Sequence, residues 1–158
     1  CGSAYMQNQS VDFLTTMLIS IPVGIFIALV LFINCFQDYK ADKATKKNSW
    51  VVRLAGPNEK ANYRRPFNVW QFFMIVAFLI IAINAIFINP LTGIALLPCL
   101  LFYFGLNKGK NWLIEWEKED ANVDYLPYEL LIVNVSTIGT HFLTGVLLTL
   151  GFLLSAWL

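Results

Sequence analysis

Three long stretches without a single charge constrain this chain more than any other feature. Between Asp12 and Asp38 lie 25 uncharged residues, between Arg65 and Lys108 lie 42, and from Leu130 to Leu158 there are 29. A helix crosses the hydrocarbon core of a bilayer with roughly 20 residues, so the first and last stretches supply one span each. The middle one would make a helix of about 63 Å at 1.5 Å per residue, about twice the thickness of the core. It has to turn back on itself. Charged residues are 13% of the chain and hydrophobic ones 58%, where a soluble domain carries about 25% charged.

The turning point is legible at Asn89-Pro90-Leu91-Thr92-Gly93. Proline has no amide donor and disfavours helix in the residue before it, and glycine interrupts helices. The expected fold is all-α: an integral-membrane four-helix bundle forming one domain over residues 1–158, with a tight helical hairpin between spans two and three. The spans are expected near 13–36, 69–88, 91–106 and 130–157, with loops at 37–68 and 107–129. Lipid offers no partner to a free backbone amide, so helices are the natural way across. Strands of a barrel would alternate polar and apolar residues, and these stretches do not.

All eleven Lys and Arg residues fall in two loops. Eight lie between spans one and two and three between spans three and four. Four spans put both loops on one side, and the positive-inside rule makes that side the cytoplasm. Both termini are then expected outside. The first loop has three acidic residues and a net charge of +5, the second has six and a net of −3. Basic and acidic residues share one side, which argues against nucleic-acid binding.

The chain starts Cys1-Gly2-Ser3-Ala4. A cysteine followed by small residues resembles the start of a mature bacterial lipoprotein. That resemblance covers four residues and names a processing class. It implies a covalent lipid on Cys1 and a place in the plasma (inner) membrane, with the N-terminus on the outer face, where lipid is attached. Cys35 and Cys99 lie at different depths and read as apolar packing residues.

The only histidine is His141, eleven residues into span four and about 16 Å deep. An ionisable residue at that depth is a functional candidate, which makes His141 a possible cofactor ligand. However, it has no histidine partner, zinc would need more His, Cys or carboxylate ligands than the chain offers, and no span contains Asp or Glu. No cofactor is predicted, and His141 is expected to be neutral and hydrogen-bonded between helices. Asn134, Thr137, His141 and Thr144 follow a 3-4-3 spacing that continues through Leu148, Gly151 and Ser155. Span one carries a second seam, Thr16, Ser20, Gly24 and Ala28. Membrane helices pack through small residues and hydrogen bonds, so these seams are expected either to build the bundle or to meet a partner helix.

At the loop side, Arg64 and Arg65 precede span two, and Trp112 and Trp116 stand one helical turn apart. They are expected to meet lipid headgroups, Trp112 and Trp116 from a short interfacial helix. No phosphate loop, nucleophile motif or metalloprotease helix is present. Packing seams, few intramembrane charges and little soluble mass point to an accessory or structural subunit whose partners are other membrane subunits and lipids. A small transporter or channel component would need polar groups lining a path. A membrane-embedded enzyme would need a catalytic constellation, and none is visible.

Overall fold

A computed structural model describes residues 13–56, 61–118, 121 and 129–157. Among them the regular structure is helical throughout. Six α-helices follow in order: α1 (Phe13–Gln37), α2 (Tyr39–Ala44), α3 (Trp50–Ala55), α4 (Arg64–Phe87), α5 (Cys99–Glu117) and α6 (Leu131–Trp157), with a 3-10 helix (Pro90–Leu96) between α4 and α5. Four segments are long and apolar enough to cross a membrane: Phe13–Gln37, Arg64–Phe87, Pro90–Glu117 and Leu131–Ser155. Their outward faces carry large bare side chains, with Phe87 79% and Phe142 65% exposed. Such a surface suits lipid and not water.

The helices form a ring. α1 packs on α4 and α6, the 3-10 segment packs on α4 and α6, and α5 packs on α6. α2 and α3 sit at the end of the bundle that carries the basic loop, here the charged end.

Two boundaries differ from the expectation, for one reason. The third span runs on to Glu117 instead of stopping at 106. Although charge returns at Lys108, an apolar stripe continues through Phe102, Leu106, Gly109, Trp112, Leu113 and Trp116, all buried. Helix α4 likewise starts at Arg64, not 69, because its own buried stripe begins with Phe67 and Trp70. The short interfacial helix expected around 111–116 is the end of α5.

The fold-back at 89–93 is made by asparagine. Asn89 is extended, at φ −154° and ψ 108°. Its Oδ1 accepts from the Leu91 amide at 3.0 Å, and its Nδ2 donates to the Gly151 carbonyl at 3.5 Å. Pro90 opens the 3-10 helix, where a missing amide donor costs nothing. Gly93 keeps a negative φ; positive φ occurs only at Lys46 and Gly56 among the described residues.

Pro22 lies inside α1. Its ring removes the donor that would have served the carbonyl four residues back, Leu18. Asn84 of α4 donates Nδ2 to that carbonyl at 3.1 Å. In an apolar surrounding such a carbonyl needs a partner from a neighbouring helix, so this bond also registers α1 against α4.

Aromatic rings fill the charged end. Tyr63 stacks on Phe36 at 5.3 Å and meets Trp116 edge-on at 4.7 Å. Its hydroxyl donates to the Phe36 carbonyl at 3.1 Å. Burial pushes the Tyr63 phenol well above its ordinary value, so it remains a donor. Trp116 Nε1 donates to the Ala61 carbonyl at 2.7 Å, and Tyr39 caps the end of α3 by donating to the Gly56 carbonyl at 3.1 Å.

Candidate functional site

The seam on α6 faces into the bundle. Asn134, Thr137, Thr144, Leu148 and Gly151 are buried, and Ser155 alone is exposed. Its chemistry is mostly local. Thr137 donates to the Val133 carbonyl at 2.7 Å, and the neighbouring Ser136 and Thr140 donate to Ile132 and Ser136 at 2.8 Å. Hydroxyls that bond back to their own helix present small, neutral surfaces to neighbours. Among the described side chains of the seam, Asn134 is the one that reaches across, donating Nδ2 to Asn34 Oδ1 of α1 at 2.6 Å. Gly151 meets the 3-10 segment so closely that a Cβ there would lie 2.7 Å from the Leu91 carbonyl oxygen. Gly105 similarly faces Ser136, and Gly109 faces Phe67.

His141 sits at the edge of this seam and is half-buried. Its Nδ1 is shielded and has no hydrogen-bond partner, so the expected interhelical bond is not made at that atom. On its open side runs a groove of about 420 Å³ edged by His141, Gly145 and Thr149. These three are spaced four apart and share one helix face. A Cβ on Gly145 would meet nothing within 4 Å. Thr149 donates to the Gly145 carbonyl at 2.9 Å. The site is therefore a small-residue cleft on the outside of α6 with the half-buried His141 at its rim.

The seam on α1 turns out of the bundle. Ser20, Gly24 and Ala28 are exposed, Thr16 is half-buried, and nothing lies within 4 Å of a Cβ on Gly24. It does not build the bundle core.

The headgroup assignment needs correction at the tryptophans. Trp112 and Trp116 are 6% and 3% exposed and pack against Tyr63. Their spacing reflects the buried stripe of α5, which turns them inward. Arg64 is held by Glu117, its Nε donating to Oε1 at 2.8 Å. Arg65 is exposed and makes no ion pair among the described residues. Cys1 lies outside the described residues. Cys35 and Cys99 are free thiols, and no three His, Cys, Asp or Glu side chains gather as a metal site among the described residues.

Sequence reasoning missed Asn34, Gly145 and the Pro22–Asn84 pairing. The four-residue spacing of His141, Gly145 and Thr149 was readable, but it competes with the longer inward seam through the same histidine. No protein family model, curated protein or solved structure matches the chain, so the site is read from its own residues.

Proposed function

We propose that this protein is a membrane-embedded accessory or structural subunit that docks a transmembrane helix of another polypeptide against the outer face of α6. The observation that carries this reading is the open cleft at Gly145 on the outside of α6, where an added Cβ would meet nothing within 4 Å and His141 and Thr149 stand one turn to either side. A glycine lets a second backbone approach closely, and polar side chains join helices across such contacts. The bundle interior supports the same reading. Rings and methyl groups fill it, and its few amides are used in tying helix to helix.

The chain is proposed to lie in the plasma membrane with the charged end in the cytoplasm and both termini outside, on the strength of the charge bias. Thr92 is fully buried, so labelling from the opposite end is better placed at exposed Pro90. With the native cysteines replaced, a cysteine at Pro90 should react with an impermeant thiol reagent in intact cells, and one at Asn48 should not. The reverse pattern would invert the orientation.

The docking surface is tested by a photo-reactive residue at Val146, which lines the α6 groove, in native membranes. A discrete heavier species containing one other polypeptide is expected, and Gly145→Leu should abolish it while the chain stays inserted. Adducts to lipid alone would contradict the subunit reading.

A further inference from the structure

A second groove lies on another side of the bundle, between α1 and α4. It has a volume of about 720 Å³ and is lined by apolar residues only. Gly24, Ala28 and Phe32 form its α1 wall, and Val69 and Phe73 its α4 wall. Helix α3 borders it at the charged end with Trp50 and Leu54. From Ile21 to Phe32 the groove follows about 16 Å of helix, close to half of a hydrocarbon core about 30 Å thick. A partner helix would have to run on past α3. A lipid chain ends where α3 begins.

Two features at that mouth select the headgroup. Trp50 is 69% exposed although its helix neighbours Val51 and Ala55 are buried, which fits an indole at headgroup level. Two arginines follow from the register of the helices that line it. Arg65 stands four residues before Val69 and eight before Phe73, hence on the same face of α4 and one turn nearer the charged end. Helical side chains lean toward the N-terminus, which carries its guanidinium toward the headgroup layer. Arg53 lies three residues from Trp50 on α3. Both arginines are exposed, and neither makes an ion pair among the described residues. Arg64, by contrast, is engaged by Glu117.

We propose that this groove is a binding site for one phospholipid with an anionic headgroup, its acyl chain lying between α1 and α4 and its phosphate region held by Arg65 and Arg53. The site is independent of the α6 docking face. It would give the protein a resident lipid chosen by charge.

The test uses the full chain in nanodiscs of mixed phosphatidylcholine and phosphatidylglycerol, with the retained lipid weighed by native mass spectrometry. Wild type should keep one phosphatidylglycerol in preference to phosphatidylcholine. Arg65→Gln and Arg53→Gln should each lower that preference by about fivefold, the worth of one basic side chain at an anionic surface. Arg64→Gln should leave it unchanged. Gly24→Leu, whose Cβ meets nothing within 4 Å, should displace the retained lipid while circular dichroism stays that of wild type. The proposal is overturned if wild type shows no preference, if the Arg53 and Arg65 variants keep it, or if Gly24→Leu retains the lipid. It is also overturned if a photo-reactive residue at Ala28 in native membranes captures a polypeptide instead of lipid.

Discussion

Removing the Asn84 amide should cost more stability with Pro22 present than without it. Pro22 cannot donate to the Leu18 carbonyl, and Asn84 Nδ2 does so from α4 at 3.1 Å. Asn84→Ala would leave that carbonyl without a partner, at about 1–3 kcal/mol for a buried group, and would add the cost of a cavity at a fully buried position. The loss is trimmed because Asn84 Oδ1 is itself unpartnered and disappears with the side chain. Pro22→Ala restores a backbone donor four residues from Leu18. In that background the same Asn84→Ala substitution should cost less by the share of the interhelical bond, about 0.6–2 kcal/mol. The cavity cost is common to both arms and cancels. The assay is a double-mutant cycle on detergent-solubilised protein, unfolding wild type, both single variants and the double variant with increasing sodium dodecyl sulfate. If the two substitutions add within about 0.3–0.5 kcal/mol, Asn84 does not act through the carbonyl that Pro22 leaves free, and the reasoning fails.

Other outcomes follow from the same geometry. Gly151→Ala should destabilise the bundle, because its Cβ meets Leu91 and Thr92 backbone atoms at 2.7–3.0 Å and overpacking costs about 1–3 kcal/mol; Gly145→Ala, in open space, should be neutral or stabilising by up to about 1 kcal/mol, and equal melting of the two would refute the close approach. The Asn34–Asn134 pair should show a coupling of about 0.6–1.7 kcal/mol in its own cycle, and no coupling would mean the bond is not formed in the membrane. Lys47, hydrogen-bonded to Asp42 at 3.0 Å, holds the Asp42 carboxyl below its ordinary value, with Ser49 helping and burial opposing. A carboxyl lowered in the folded state stabilises above its unfolded value and loses that contribution as pH falls through the folded one. Amide protection in α2 and the turn after it, measured relative to the intrinsic exchange rate at each pH, should therefore hold down to about pH 4 and fall below, and Asp42→Asn should remove the pH step. His141→Gln should retain assembly, whereas His141→Leu should weaken the partner contact; complete loss of function in an assembled Gln variant would give the imidazole a ligand or proton role instead.

The number of spans and the fold-back point were readable because both depend on local sequence: absence of charge over a membrane's width, and Pro beside Asn at the centre of the longest stretch. Span ends were less readable. Hydropathy marks where charge returns, but α5 continues to Glu117 because its buried stripe does, and a stripe depends on which neighbour it faces. The same limit explains the tryptophans. Trp112 and Trp116 look like interface anchors in one dimension, and only the approach of Tyr63 shows them buried. The seams were visible as spacing, but their direction was not: the one on α6 faces the bundle, and the one on α1 faces out. Pairings such as Asn34 with Asn134, or Asn84 with the carbonyl left by Pro22, join residues 100 and 66 positions apart, a distance that no local pattern spans.

The most direct measurement of the subunit reading is the mass of the particle that carries this chain out of its native membrane. Polymer-excised native nanodiscs, weighed by native mass spectrometry without added detergent, should show this chain together with a second, different polypeptide in fixed stoichiometry. Gly145→Leu should return the chain to a particle holding only itself and lipid, at unchanged thermal stability. A wild-type chain released alone, stable and active in that form, would contradict the account and favour a transporter or channel acting by itself.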